Sequence, residues 1–465
     1  MINNFKDKKV LVMGLGLQGG ALSVVKYLLK HKAIITITDI KTRQQLKSSL
    51  DKINKLSGSK NIKYTLNKHD LADFEDQDLI VQNPGVPKES KYLAKARRMG
   101  IPIVNEAVMF FGLYRGKVIG ITGTRGKSTT TTLLHKILKT KIKHNQLAGN
   151  IAINPMLSAL DKLKINSYPV VELSSWHLEN LAEYKKSPHI AVITNVMTDH
   201  LDRYKDFNEY KQAKIFNIQH QKSSDYAVLN ADNKFTKNFA KYTKAKTYYF
   251  SLTKKVKGCY IKNNFIYFNN NKILNTNKIK LLGEHNLSNI LAAVTVAKII
   301  GISNTNIAKA INSFKGVDYR LQYIKKYKHA KVYNDSTSTT PDAGRAALLA
   351  VPAKTILICG GVDKGLDYSQ MAKAIKQTAS LVIILSGSVS KKLLPELKKL
   401  KYKNIISNIS SLSKAWQLAK QNLKAEDESI LFSPAGASFN MFDNEFDRAR
   451  QFDKLVNGTQ KKKKK

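Results

Sequence analysis

Cysteine is almost missing from this sequence: Cys259 and Cys359 are the only two in 465 residues. That excludes a disulfide framework and a cysteine-based zinc site. No apolar stretch reaches the eighteen or so residues that a membrane-spanning helix needs. The opening, Met1 to Val10, is polar and charged and lacks the apolar run of a secretory leader. These absences predict a soluble, cytoplasmic protein. Negative charge is scarce as well, with 34 acidic residues against 78 basic ones and a formal net charge of +44. Only ten of the basic residues are arginine, and the lysines are spread along the whole chain. A dedicated nucleic-acid binder clusters its charge and favours arginine for base contacts, so no specific nucleic-acid partner is expected. No membrane partner is expected either. Asparagine is abundant, as in Asn263-Asn264 and Asn269-Asn270-Asn271. Lysine and asparagine rising together point to an AT-rich genome, with steering of polyanionic substrates as a second reading. The lysine run at 461–465 reads as a disordered, solvated tail.

The apolar content, 43%, is enough to fill cores, and the length exceeds what one core supports, so two or three domains are expected. Strand-like and helix-like stretches alternate. Lys9 to Met13, Ala21 to Leu29 and Ala33 to Thr38 read as a βαβ unit. A second opening runs from a strand at Val118 to Thr122, through a glycine turn, into a helix at Thr129 to Leu138. Further strands are predicted at Val170–Leu173, Ile190–Asn195 and Ala227–Asn230. A third region carries strands at Lys331–Asn334, Thr355–Cys359, Leu381–Leu385 and Ser429–Ser433. The expectation is α/β with mostly parallel sheets in three domains: a Rossmann-like 1–113, a central P-loop ATPase-like 114–315 and a Rossmann-like α/β 316–465. Ligands of such sheets sit at the carboxyl ends of the strands.

Two glycine turns carry the chemistry. Gly14-Leu15-Gly16-Leu17-Gln18-Gly19 follows a strand and opens a helix, and Asp39 ends the next strand. The glycines permit a tight turn and close approach of a phosphate to a helix start. NAD is the default ligand of such a fingerprint, a uridine diphosphate sugar can use the same turn, and the motif alone does not choose. The second turn, Gly120-Ile121-Thr122-Gly123-Thr124-Arg125-Gly126-Lys127-Ser128-Thr129, is more specific, although its first glycine lies one position further out than in the standard phosphate loop. Backbone amides would cradle phosphates, Lys127 would neutralise them and Ser128 would meet magnesium, so this is an ATP site. Downstream, Glu172 and His200 follow predicted strands as a carboxylate and an imidazole suited to a magnesium-phosphate site.

Gly-Thr-Arg-Gly-Lys-Ser-Thr at 123–129, Glu-Leu-Ser-Ser-Trp-His-Leu-Glu at 172–179 and Asn-Val-Met-Thr-Asp-His-Leu-Asp-Arg-Tyr at 195–204 resemble the Mur ligase family. So do Gly-Glu-His-Asn-Leu-Ser-Asn at 283–289, Tyr-Arg-Leu-Gln at 319–322, Asn-Asp-Ser at 334–336 and Ser-Pro-Ala-Gly-Ala-Ser-Phe at 433–439. The last is similar to the family's glutamate-adding branch. The resemblance implies an ATP-dependent amide ligase, monomeric, adding D-glutamate to UDP-N-acetylmuramoyl-L-alanine through an acyl phosphate, in peptidoglycan precursor synthesis. It assigns the first domain to the uridine nucleotide, in place of NAD, with Leu17, Gln18, Asp39, Asn150 and His177 at the substrate.

ATP falls to Gly123 through Thr129 (Gly123, Thr124, Arg125, Gly126, Lys127, Ser128, Thr129), with Asn289, Arg320 and Asp335. Ser128, Glu172, His200 and Lys214 would hold magnesium, Lys214 as a carbamate. Lys127, Lys214 and His200 would be catalytic. Lys364, Thr339, Ser438 and Phe439 would hold the incoming amino acid. The chain departs from the family pattern in several places. Thr337 stands where a lysine is usual, Tyr319 where a histidine is and Phe439 where a leucine is, which leaves L-glutamate or another amino acid as an alternative; Gln18 and Ile40 replace residues more usual at the uridine positions. A nicotinamide-dependent oxidoreductase and a basic nucleic-acid-stimulated NTPase are the remaining alternatives from other classes.

Overall fold

Short runs of valine, isoleucine and leucine build three separate sheets, each with helices packed against it. The structure is a computed structural model that describes residues 4–17, 19–87, 89–150, 154–199, 203–352, 354–439 and 441–458. Gln18, His200 and the lysine run at 461–465 lie outside the described residues.

The first sheet has five strands in the order Lys63–Leu66, Ile34–Asp39, Lys9–Met13, Leu79–Gln82 and Ile103–Val104, all parallel. The chain reverses its direction of winding between Lys9–Met13 and Leu79–Gln82, and ligands of such sheets enter the crevice at that reversal. The glycine fingerprint leaves the first of these strands and Asn83 leaves the second. Gly14 has φ of 85°, and a Cβ on it would stand 3.0 Å from the Asn83 Cβ. The Asn83 side chain donates to the Gly14 carbonyl at 2.9 Å, which pins the turn across the reversal.

The second sheet has nine strands, running from Asn271–Asn275 at one rim to Leu147–Gly149 at the other. Its parallel part centres on Ile119–Thr122, flanked by Val170–Glu172 and Ile190–Ile193. Both flanking strands stop sooner than their apolar runs suggest, and their next residues brace the root of the phosphate loop: the Leu173 carbonyl accepts the Thr122 hydroxyl, and Thr194 Oγ1 donates to the Arg125 carbonyl. The sequence reading missed the antiparallel extension Gly258–Lys262, Phe265–Phe268 and Asn271–Asn275. Its first turn is the pair Asn263-Asn264, with φ of 49° and 59°, and Asn269 at 54° opens the second. Asparagine tolerates this left-handed backbone better than other side-chain-bearing residues. The asparagine pairs thus have a local structural role that composition alone does not reveal.

The third sheet has six strands, Gln322–Tyr327, Ala330–Asn334, Ser429–Phe432, Thr355–Cys359, Ala379–Leu385 and Ile405–Ile409, of which only the first is antiparallel. By contacts the chain forms two units: residues up to Ile279 with Ser288–Ser313, and Lys280–Leu287 with residues from Phe314 onward. Inside the first unit one apolar cluster runs from Val10 and Val25 through Ala107, Val108 and Phe110 to Val171 and Leu178. The first two sheets therefore share a core. No helix among the described residues is long and apolar enough to cross a membrane.

Asn264 occupies the second position of a two-residue turn that prefers glycine there. Asn264→Gly is expected to raise unfolding stability by about 0.5 kcal/mol, and Asn264→Val to lower it by about 1 kcal/mol, in urea denaturation followed by circular dichroism.

Candidate active site

The phosphate loop joins the strand Ile119–Thr122 to the helix Lys127–Lys139. Its shape comes from close approach at two glycines. Gly123 has φ of 147°, and a Cβ on it would lie 1.9 Å from Thr194 Oγ1; Gly126 has φ of 82°, and its Cβ would lie 2.1 Å from Asn289 Oδ1. Asn195 supports the loop from the adjacent strand end. Its Oδ1 accepts the Arg125 amide at 2.9 Å, its Nδ2 donates to the Arg125 carbonyl at 3.1 Å, and its own carbonyl accepts the Thr124 amide at 3.0 Å. Thr194 Oγ1 donates to the Arg125 carbonyl at 2.6 Å. Loop amides are thus held where an anion can meet them, at the start of a helix whose dipole favours negative charge. The Lys127 ammonium donates to the carbonyls of Gly123 and Thr124 at 2.9 and 3.1 Å, folded back over its own loop. Ser128 and Thr129 follow in the first helical turn, and Thr130 Oγ1 reaches Asn289 Oδ1 at 3.4 Å.

Beside the loop lies a buried ionisable group of the kind that phosphate chemistry uses. Glu172 ends its strand with the side chain buried; Oε1 accepts Asn150 Nδ2 at 3.3 Å, and Oε2 has no hydrogen-bond partner among the described residues. An orphaned carboxylate oxygen in the interior is costly unless a cation completes it. Lys214 is also buried, on the helix Phe207–Gln219, with its ammonium position 5.0 Å from the Tyr210 ring centroid. Burial, and then the nearby Lys127 charge, hold Lys214 well below the ordinary lysine range, while Asp199, Glu172 and Glu179 oppose them. A shift in that direction favours the uncharged amine, which is the nucleophilic form of lysine. His177 is pushed down to about 4 by burial and by Lys214. Its Nδ1 accepts the Ser174 amide at 3.4 Å in a reciprocal cap of the helix Ser175–Glu183, while Ser174 Oγ accepts the His177 amide at 3.3 Å. Among the described residues no three His, Cys, Asp or Glu side chains converge as a metal cluster. His200 lies outside them.

In the first sheet Asp39 is buried and braces the fingerprint: Oδ2 accepts the Gly16 amide at 3.0 Å and Oδ1 the Lys41 amide at 2.9 Å. Leu17, next to Gly16, is 53% exposed.

The remaining predicted residues belong to the second unit. Asp335 is buried; its Oδ1 accepts the Leu321 amide at 2.9 Å and its Oδ2 the Ser433 hydroxyl at 2.8 Å. Burial pushes its carboxyl up to about 7 against those bonds and the charges of Arg320 and Arg448. Lys364 Nζ donates to Thr339 Oγ1 at 3.4 Å. Ser438 is buried with its hydroxyl unpartnered among the described residues, and Phe439 is 73% exposed.

Sequence reasoning missed Arg448, which is fully buried and donates to Ser336 Oγ at 3.1 Å, the Ser336 carbonyl at 2.7 Å and the Gly436 carbonyl at 3.1 Å. It ties the loop carrying Thr339 to the loop carrying Ser438. No sequence signal separates it from a surface arginine on a C-terminal helix. It also missed Tyr210, whose hydroxyl meets Thr124 Oγ1 at 3.1 Å. A tyrosine four residues before Lys214 lies on the same helix face, and that spacing was a usable hint.

The description "Mur ligase MurD-like, N-terminal domain" matches residues 8–105, "Mur ligase middle domain" residues 121–297, and "Mur ligase, glutamate ligase domain" residues 319–436. The chain is similar to a UDP-N-acetylmuramoylalanine--D-glutamate ligase of Thermoanaerobacter sp. (strain X514), 36% identical over 97% of this chain and 98% of that protein. Its similarity to the ligase of the same name from Alkaliphilus metalliredigens is 34% over 97% and 98%. Among solved structures, the UDP-N-acetylmuramate-alanine ligase MurC of Thermotoga maritima shares the fold, with a TM-score of 0.63 at 21% identity over 97% of this chain and 99% of that one. The MurF ligase of the same organism, in complex with ADP, gives 0.58 at 17% over 98% and 99%.

Because a Cβ at Gly126 collides with Asn289 Oδ1 and strains a left-handed backbone, Gly126→Ala is expected to weaken ATP binding at least about tenfold. Far-ultraviolet circular dichroism should stay unchanged while calorimetric titration with ATP reads the loss.

Proposed function

The chain belongs to the Mur ligase family, and from that membership we propose that it joins D-glutamate to the terminal carboxylate of UDP-N-acetylmuramoyl-L-alanine, cleaving ATP to ADP and phosphate. The observation that carries the chemistry is the phosphate loop set beside Glu172, one of whose oxygens is orphaned, and a buried Lys214 held well below the ordinary lysine range. A ligase reading replaces the nicotinamide alternative for the first fingerprint, as the relatives matched over nearly the full length are named as ligases. The cytoplasm, where ATP and the uridine nucleotide are supplied, is the proposed location.

The substrate carboxylate attacks the γ-phosphorus of ATP, giving an acyl phosphate and ADP. The glutamate amine then attacks the acyl carbon, phosphate leaves, and the amine proton passes to solvent or a nearby base. Two anions meet in the first step, so charge neutralisation is the protein's main contribution. Loop amides from Gly123 to Ser128 bind the phosphates, and the Lys127 ammonium exchanges its carbonyl partners for phosphate oxygens. Glu172 Oε2, with the Ser128 hydroxyl, fits a magnesium ion, which when bound supplies further neutralisation of the phosphates. In its uncharged form, which burial favours, the Lys214 amine attacks carbon dioxide and loses a proton, giving a carbamate whose oxygens add anionic donors beside Glu172. Leu17, Asp39, Asn150 and His177 are assigned to the nucleotide substrate. Lys364 is assigned to a carboxylate of the incoming glutamate, with Thr339 and Ser438 as neutral donors, the charged contact being the stronger.

Phosphate release with D- and L-glutamate at equal concentration tests the substrate: activity with the D form alone is expected, and preference for the L form would overturn the assignment. Lys214→Ala is expected to lower kcat by about a hundredfold or more. In the wild type, ¹³C NMR under labelled carbon dioxide should show a carbamate resonance that the variant lacks.

A further inference from the structure

The helix Glu106–Leu113 links the first sheet to the second, and Asn105 caps it by accepting the Val108 amide at 3.0 Å. Glu106 is therefore free of capping duty, and its buried carboxyl reaches between two other elements. The Ser23 hydroxyl lies 2.6 Å from Oε1, and the Leu157 amide donates to Oε1 at 3.0 Å. The Met156 amide also bonds to this carboxyl. Oε2 lies 3.5 Å from where a Cβ would stand on Gly20, at the start of the helix that follows the glycine fingerprint. Met156 and Leu157 lead back through the Asn154 carbonyl, which accepts the Gly149 amide at 2.9 Å, to Asn150, whose amide bonds the Glu172 carbonyl at 2.9 Å. One side chain thus connects the fingerprint helix to the surroundings of Glu172.

The hydroxyl of Ser23 lies 2.6 Å from Glu106 Oε1 and 2.7 Å from the Gly20 carbonyl. A hydroxyl has one proton and cannot donate to both. A neutral Glu106 resolves the conflict: its own O–H donates to Ser23 Oγ, and Ser23 donates to Gly20. Burial acts in the same direction, raising the carboxyl to about 7, against the bonds from Ser23, Leu157 and Met156. Those are the groups that act on it from the elements packed around it, and none is charged. The ion pair joining the same two elements, Lys30 with Asp161 at 2.8 Å, is exposed at the helix's far end.

We propose that Glu106 is a proton-controlled positioning residue for the nucleotide substrate. In its neutral form it holds the fingerprint helix and the Asn154–Leu157 segment in the arrangement that receives the diphosphate. When ionised it sets a negative charge at the helix start that the diphosphate approaches, cancelling part of the attraction of that helix end. The inference rests on the reading of the first-sheet turn as the uridine nucleotide site.

Calorimetric titration of the full chain with UDP-N-acetylmuramoyl-L-alanine at pH 6 and pH 8 tests it, since the diphosphate of this ligand is fully ionised throughout. Wild type is expected to bind about fivefold more weakly at pH 8, the size of a coupling somewhat under one pKa unit. Glu106→Gln should bind equally at both values, because its amide N–H takes over the donation to Ser23. Ser23→Ala, which removes the acceptor of the neutral form and a donor to the ionised one, should move the midpoint of the wild-type pH dependence. Thermal unfolding supplies a separate readout. A carboxyl raised in the folded state loses stabilisation as pH climbs from its unfolded value towards 7, so wild type should lose stability relative to Glu106→Gln over that window. A purely structural role would move this unfolding difference and leave the dissociation constants independent of pH, which would overturn the proposal. Equal pH dependence of binding in wild type and Glu106→Gln, or an unmoved midpoint in Ser23→Ala, would overturn it too. ATP binding without nucleotide binding at either pH would instead defeat the nucleotide reading of the first sheet, and the inference with it.

Discussion

Asn195 accepts the Arg125 amide and donates to the Arg125 carbonyl, closing a ring on the phosphate loop from a neighbouring strand, and the site's geometry follows from that closure. The loop has no regular hydrogen bonding of its own, so its amides keep their direction only if something outside holds the intervening carbonyls. Thr194 and Asn195 do this from one side, and Asn289 packs against Gly126 from the other. The strand Ile190–Ile193 therefore ends where it does because its next two residues are committed to the loop. The same commitment places Asp199 near Arg125, where the two form an ion pair at 3.0 Å. It also brings Met197, whose amide donates to Thr124 Oγ1 at 3.0 Å, against the loop. Positive charge dominates the molecule, yet the groups acting on Lys214 include Asp199, Glu172 and Glu179. Their field opposes the desolvation of Lys214 without overcoming it.

Much of this was legible in the sequence, because the local signals and the final fold agree. The strands Lys9–Met13 and Thr355–Cys359 fall on the residues their apolar runs predict, and the phosphate-loop helix expected from Thr129 begins two residues earlier, at Lys127, directly after Gly126. Short apolar runs bounded by glycine turns leave few alternatives in a parallel sheet. Glu172 at its strand end was likewise readable from position. What escaped were features that depend on partners distant in sequence. Arg448 looks like any helix-surface arginine until the loops at Ser336 and Gly436 close over it. Glu106 looks like an ordinary first-turn acid until Ser23 and Leu157 converge on it. The three antiparallel strands from Gly258 were missed for a different reason: their signal is a pair of asparagines, which composition had already explained another way.

The two buried carboxyls raised to about 7, Glu106 and Asp335, show one physical cause with different surroundings. Each is desolvated, and each is bonded by a hydroxyl and by backbone amide. Asp335 also feels Arg320 and Arg448, whereas Glu106 has no charged neighbour acting on it among the described residues. Burial sets the direction in both cases, and the neighbours decide what a proton does there.

The nine-stranded sheet has two rims, and their construction bears on how this chain behaves when crowded. One rim is the three-residue strand Leu147–Gly149, too short to template another chain. The other is Asn271–Asn275, whose sequence Asn-Lys-Ile-Leu-Asn is polar at both ends, with the Lys272 ammonium 3.4 Å from the Phe265 ring centroid. A lysine laid over an aromatic ring on a sheet's last ribbon keeps a charge where a stray strand would have to dock. The asparagine turns thus finish the sheet in a hairpin whose outer face discourages pairing with a second molecule. A long parallel sheet, slow to assemble because its pairings are distant in sequence, spends time with open rims and gains from such an ending.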